Sequence, residues 1–138
     1  MYEYKCTILR IVDGDTIDVN IDLGFNMWIH RERIRVSGID APEMRTKDKV
    51  TKVFGKASKE YVQSLLPIGS TQIVKNKKKK KGKYGRILGD FIIEDKMLSA
   101  LMIENYHAVP FNGQSKEDIQ LLHEANRQIL VNSGKIIL

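Results

Sequence analysis

Val12-Asp13-Gly14-Asp15-Thr16-Ile17-Asp18-Val19-Asn20-Ile21-Asp22-Leu23 decides the fold class. From Thr16 on, Ile17, Val19, Ile21 and Leu23 alternate strictly with polar residues. An extended chain sends successive side chains to opposite faces, so this period of two marks a half-buried strand. Asp13-Gly14-Asp15 before it is turn chemistry, with a glycine free of Cβ constraints between two amide-bonding aspartates. Upstream, Tyr4, Cys6 and Ile8 share one face of a first strand over 4–12. Downstream, Gly24-Phe25-Asn26 turns the chain into a third strand over 27–37. There Trp28, His30, Glu32, Ile34 and Val36 share a parity, and Ile29, Arg31, Arg33 and Arg35 take the other, which gives a row of guanidiniums.

Past Pro42, the charged stretch over 43–52 reads as a loop. A helix is predicted from about Gly55 to Leu66, with Ala57, Tyr61, Ser64 and Leu65 at helical spacing and Pro67 as its stop. A fourth strand over 71–74, a lysine loop and a fifth strand over 86–93 follow. Residues 97–106 read as a helix that packs Met97, Leu98, Leu101 and Met102. Ser115-Lys116-Glu117-Asp118 resembles a capping box for a last helix, with Ile119, Leu122, Ala125 and Ile129 as its core stripe. Strands lead and helices end the chain, so the class is α+β. Five short strands interrupted by one helix after the third suit a small five-stranded OB-type β-barrel with three α-helices, built as a single domain over 1–138. Periodicity alone leaves that topology open.

The chain has 138 residues, 42% hydrophobic and 29% charged, enough for one real core. Its apolar runs are only a few residues long, so no membrane span is expected. The lone cysteine, Cys6, excludes an internal disulfide and reads as a small buried hydrophobe. Charged residues from Glu3 to Arg10 after an initial Met show no secretory pattern. A cytoplasmic monomer is expected, or a secreted one if a leader was removed. The net charge is +6, yet residues 75 to 86 hold seven lysines, one arginine and no acid. Outside that segment 15 basic residues stand against 17 acidic ones. The basicity therefore reads as one local feature, suited to a polyanion or to a solvated lysine loop.

Three segments carry chemistry: Val12 to Thr16, Arg35-Val36-Ser37-Gly38-Ile39-Asp40-Ala41-Pro42-Glu43, and Lys83-Tyr84-Gly85-Arg86. If strands two and three form a hairpin, Asp15 at the start of one lies beside Asp40 after the end of the other. Hard divalent cations take such oxygens, and the carbonyl of Ala41 is placed to add another. Glu43 is placed to deprotonate an attacking water. Arg35 and Arg86 suit the charge that develops on a phosphodiester under attack. Each acid is equally ordinary turn chemistry when taken alone, and Asp13 reads as a turn residue. Arg31 and Arg33 read as exposed, or paired with nearby acids. His30, His107 and His123 lack metal-ligand spacing and read as surface or packing residues, and Trp28 as core.

The three segments, in this order and at these distances, resemble the staphylococcal nuclease (thermonuclease) family. The resemblance extends from about Lys5 to the last helix. It implies a five-stranded OB-type barrel with three helices. It implies Ca2+ bound by Asp15, Asp40 and the Ala41 carbonyl, with Glu43 activating water and Arg35 and Arg86 contacting phosphate. It also implies cleavage of DNA and RNA, preferably single-stranded, with little sequence preference and 3′-phosphate products. Lys77, Lys78, Lys79, Lys80, Lys81, Lys83 and Tyr84 would contact nucleic acid, and Phe111 would stack on a base. Two departures stand out: Gly82 where many relatives have aspartate, and Phe111, without a hydroxyl, where relatives often place tyrosines. A catalytically silent OB-type nucleic-acid-binding module is the alternative, and a protein-interaction domain a third reading. The retention of Asp15, Arg35, Asp40, Glu43 and Arg86 favours the enzyme.

Overall fold

The computed structural model describes residues 2–81 and 87–138, with the side chains of 77–81 outside the description. Five long strands build the barrel: β1 (Glu3–Asp13), β2 (Thr16–Gly24), β3 (Met27–Val36), β5 (Thr71–Lys81) and β6 (Ile87–Ile93). Short strands β4 (Ile39–Asp40) and β8 (Val109–Pro110) pair with each other, and β7 (Lys96–Met97) extends the main sheet. The helices are α1 (Lys49–Leu65), α2 (Leu98–Glu104) and α3 (Lys116–Asn132). The strand order is β3-β2-β1-β5-β6-β7, and a parallel pairing of Ile34, Arg35 and Val36 with Ile87, Leu88 and Gly89 joins β3 to β6. That pairing closes the five long strands into a barrel, with β7 left as a short edge beside β6. The fold is thus α+β, a five-stranded mixed barrel of OB-like type with three helices.

The predicted alternation holds where it is strictest. Ile17 and Val19 on β2, Ile8 on β1, Ile34 and Val36 on β3 and Phe91 on β6 are fully buried inside the barrel. Cys6 is buried with them, and loss of solvent pushes its thiol up to about 11, so it packs as a hydrophobe. Among the described residues, no helix is long and apolar enough to cross a membrane.

Four local readings are corrected. The stretch read as a loop over 43–52 already enters α1 at Lys49. Asp48 caps it, accepting hydrogen bonds from the Val50 and Thr51 amides and from Thr51 Oγ1 at 2.8 Å. The fourth strand runs to Lys81 rather than Val74, so the lysine run continues a strand. In β3, Val19 faces Glu32 but Ile21 faces Ile29, so His30-Arg31 together oppose Asn20. Arg31 takes a left-handed φ of 54° at this bulge, and its amide donates to Asn20 Oδ1. The extra residue breaks the expected parity. Ile29 joins Ile21 and Ile34 at one barrel mouth, and Trp28 lies 43% exposed near the hairpin tip, outside the core. Lastly, α3 buries His123 and Leu130, while Leu122, Ala125 and Ile129 face outward. Polar partners, described below, hold this less apolar face inward.

Two glycines let α1 sit close to the chain that carries the acids. A Cβ on Gly55 would lie 2.3 Å from the Glu43 carbonyl oxygen. A Cβ on Gly14 would lie 2.1 Å from Ser58 Oγ and 3.2 Å from Ala41 Cβ. The Asp13–Asp15 turn, the segment after β4 and α1 are therefore pressed together with no room for a methyl group. Gly55→Ala must displace the Glu43 backbone or the helix, at about 1–3 kcal/mol. A urea titration should show a lower midpoint with an unchanged m-value. An unchanged midpoint would mean the segment yields without cost.

Candidate active site

Asp15 is fixed first. Its carbonyl accepts from the Val36 amide at 2.9 Å, which holds the start of β2 beside the end of β3. Its carboxylate is buried. Oδ2 accepts from the Ala41 amide at 2.9 Å, and Oδ1 accepts from Thr16 Oγ1 at 3.0 Å. Arg35, opposite Thr16 in the strand register, brings Nη1 to 3.4 Å from Asp15 Oδ2. Its Nη2 lies 3.8 Å from Asp40 Oδ1. The guanidinium donates to the Val36 and Ile39 carbonyls, both at 2.9 Å, which locks its orientation. The convergence of Asp15, Arg35 and Asp40 expected from a hairpin is thus present.

Burial raises the Asp15 pKa above the ordinary carboxylate value, because desolvation penalises the charged form. The Arg35 charge and the Ala41 amide oppose that rise, and the nearby Asp40 adds to it.

Asp40 gains a partner that sequence spacing could not reveal. His123 Nε2, from α3, lies 2.7 Å from Asp40 Oδ2. His123 is thus a buried packing residue whose ring is satisfied, as expected, with Asp40 as the partner that the sequence did not name. His107 is a packing residue, stacked on Tyr61 at 4.7 Å, and Arg33 pairs with Asp18 at 2.8 Å, as expected. Asp13 accepts from the Met44 amide at 3.3 Å, so it ties the turn to the segment after β4.

Glu43 is exposed and lines a cleft of about 480 Å³ with Asp40, Phe111, Lys116, His123 and Arg127. Phe111 is held there by its amide, which donates to the Gly38 carbonyl at 2.9 Å. Arg127 also went unnoticed in the sequence. It donates to Thr51 Oγ1, stacks over Phe54 at 5.3 Å, and buries an Nε that has no hydrogen-bond partner among the described residues. Helical spacing carries a signal for it, since 119, 123, 126, 127 and 130 lie on one face, but that face is polar and an apolar stripe does not mark it. Lys83, Tyr84 and Arg86 lie outside the described residues, as do the side chains of Lys77 to Lys81.

Among the described residues, no three Asp, Glu, His or Cys side chains gather into a cation cage. The donor set nevertheless fits a hard cation in kind. Asp15 and Asp40 are carboxylates joined through one guanidinium, and backbone carbonyls or water would complete the ligands. The Ala41 contact observed at Asp15 is made by its amide.

A family described as staphylococcal nuclease homologue matches residues 33–129, well over half the chain. The chain belongs to the staphylococcal nuclease family. Over 97 residues, 67% of this chain, it is 33% identical to the endonuclease YhcR of Bacillus subtilis (strain 168). Over 92 residues it is 28% identical to the thermonuclease of Staphylococcus intermedius. These matches span 8% of YhcR and 51% of the thermonuclease. Distant homologues of the chain are therefore nucleases, and the matched stretch contains Arg35, Asp40 and Glu43.

The buried Asp15 charge has a testable cost. Because its folded pKa is raised, the penalty is absent below the unfolded value of 3.8 and grows as pH rises through the interval up to the folded value. Asp15→Asn should therefore raise Tm at pH 7 in chelator, and the gain should shrink as pH falls toward 3.8. A lower Tm at pH 7 would show that the pairing with Arg35 outweighs desolvation.

Proposed function

We propose that this chain is a Ca2+-dependent nuclease that hydrolyses phosphodiester bonds of DNA and RNA with little sequence preference and leaves 3′-phosphates. One observation carries the reading: Arg35 joins Asp15 and Asp40 at the barrel end from which the chain leads, three residues on, to the exposed Glu43. A purely structural ion pair has no need of a second carboxylate and a free glutamate at the mouth of a cleft.

In this reading Asp15, Asp40 and the Ala41 carbonyl hold the ion, which when bound supplies positive charge to offset that of the phosphodiester. Glu43 takes a proton from water as its oxygen attacks phosphorus. The bond to the 5′ oxygen breaks, that oxygen takes a proton from solvent as it leaves, and the phosphate stays on the 3′ side. Arg35 spends two of its five N–H donors on carbonyls and keeps the others for carboxylate and phosphate oxygens. A fixed guanidinium stabilises the extra negative charge of the transition state without reorganising. Arg86 takes the corresponding role by its match to the family's Tyr-Gly-Arg segment. Lys77 to Lys81, Lys83 and Tyr84 contact the strand, and Phe111, 42% exposed beside Asp40 and Glu43, offers a face to a base. The family's substrates make nucleic acid the natural partner.

Digestion of heat-denatured DNA with Ca2+ or with chelator, beside Arg35→Ala, tests the proposal. Cleavage should need both Ca2+ and Arg35. Glu43→Gln should lower turnover by roughly 10²–10⁴ while DNA binding stays near that of the unmutated chain. Binding without any cleavage by the unmutated chain would replace the enzyme with a silent binding module.

A further inference from the structure

A second cleft, of about 490 Å³, opens on the barrel wall beside the candidate active site. Five cations line it: Arg10 from β1, Arg33 from β3, Arg45 from the segment after β4, and Lys52 and Lys59 from α1. Arg10 and Arg33 lie 23 residues apart on different strands, and Arg45, Lys52 and Lys59 follow at intervals of seven around the basic stretch 47–52, which the sequence alone marks as able to guide a strand. Against them stand Asp13, which lines the same cleft, and Asp18, which holds Arg33 through bonds of 2.8 and 3.2 Å. Asp13 already accepts from the Met44 amide. Arg10, Arg45, Lys52 and Lys59 make no ion pair among the described residues. Two lysines outside the cleft are paired: Lys56, on the same helix, reaches Glu60, and Lys96 reaches Glu104. The cleft therefore holds a surplus of positive charge that the protein itself does not neutralise.

Unpaired like charges gathered in a concavity repel one another, and a polyanion relieves that repulsion while releasing its counterions. Lys52 and Lys59 are separated by about 10 Å along α1. Arg10 and Arg33 line the same cleft from the strands, so its charge is distributed rather than gathered at one point. That shape suits a chain of phosphates better than one phosphate ion. No aromatic residue lines the cleft, and Val12 and Met44 are its apolar members. A base would find no stacking platform there, so recognition falls on the backbone. The position matters as much as the charge. Asp13 and Thr16 line this cleft on either side of Asp15, and Met44-Arg45 line it directly after Glu43. Pro42-Glu43 line the other cleft, that of Phe111 and His123. One short segment thus serves both grooves.

We propose that this basic cleft is a second nucleic-acid site, which holds the sugar-phosphate backbone of a single strand beyond the bond presented to Asp15, Arg35 and Glu43. The proposal rests on the nuclease reading for its substrate class. It makes binding depend on strand length, because a dinucleotide that occupies the reacting site cannot also fill the cleft.

The test measures binding of the full chain to labelled oligothymidylates of two and twelve nucleotides, by fluorescence anisotropy in chelator over a range of salt. Lys52→Gln/Lys59→Gln should weaken binding of the twelve-mer severalfold at low salt. It should also flatten the plot of log K against log salt by about 0.7 per lysine. Lys52→Arg/Lys59→Arg should restore the slope, which a merely structural role would not require. Lys56→Gln, on the same helix but outside the cleft, should change neither quantity. A slope equal to that of the unmutated chain in the glutamine variant would overturn the proposal, even if the chain cleaves DNA with Ca2+. A flattened slope in a chain that never cleaves would keep the cleft and remove the nuclease. Arg45→Gln repeats the test from the other wall, so a folding defect of the α1 variant cannot decide it.

Discussion

The guanidinium of Arg35 is the contact on which the rest of the site depends. It comes from the end of β3, donates to the carbonyls of Val36 and Ile39, and places its charge between Asp15 and Asp40. Those two carbonyls curl the chain after β3 back over the barrel end, so the same bonds that fix the arginine also fix β4 and the residues after it. Without this charge, Asp15 would be a buried carboxylate compensated only by one amide and one hydroxyl, an expensive state in a low dielectric. Burial still pushes the Asp15 carboxyl above its ordinary value, with Arg35 as the largest opposing influence.

Close packing transmits that arrangement to Glu43. The Asp13–Asp15 turn, the Pro42–Met44 segment and α1 meet at Gly14 and Gly55, where a methyl group would strike Ser58 or the Glu43 carbonyl. The Asp13 carboxylate accepts the Met44 amide, and Ser58 Oγ donates to the His107 carbonyl at 2.9 Å. Barrel, helix and acidic segment therefore share one set of contacts. An exposed glutamate can then be held in place by its backbone while its side chain stays free to meet water.

The last helix is packed by polar rather than apolar chemistry. His123 reaches Asp40, the Asn126 side chain donates to the Ala108 carbonyl, and Arg127 donates to Thr51. Three directional bonds orient α3 toward the acids, and Leu130 with Phe54 and Ile136 forms a small apolar cluster at its far end. The apolar residues Leu122, Ala125 and Ile129, which a hydrophobic-stripe argument would bury, lie outside. A stripe measures only how much apolar area a helix offers. It takes no account of a charged partner waiting on another element, which is what decided this face.

What the sequence by itself determined is local or strictly periodic. The alternation from Thr16 to Leu23 specified β2, because a one-residue slip would expose Ile17, Val19 and Ile21, although Leu23 at its end lies exposed near the hairpin. The order of the Asp-Gly-Asp turn, Arg35 through Glu43 and the later Tyr-Gly-Arg segment specified the family, and the hairpin implied that Asp15 and Asp40 meet. The beginning of α1 was legible in the Asp48–Thr51 cap but was masked by the charge around it, and the bulge at Arg31 shifted a parity that looked regular. Only the tertiary structure decided that His123, 83 residues from Asp40, holds its carboxylate. Only it gathered Arg10 and Arg33 from the strands with Arg45, Lys52 and Lys59 into one cleft. The physical reason is the same in both cases. Charge acts through space, and sequence distance carries no information about which elements a closed barrel brings face to face.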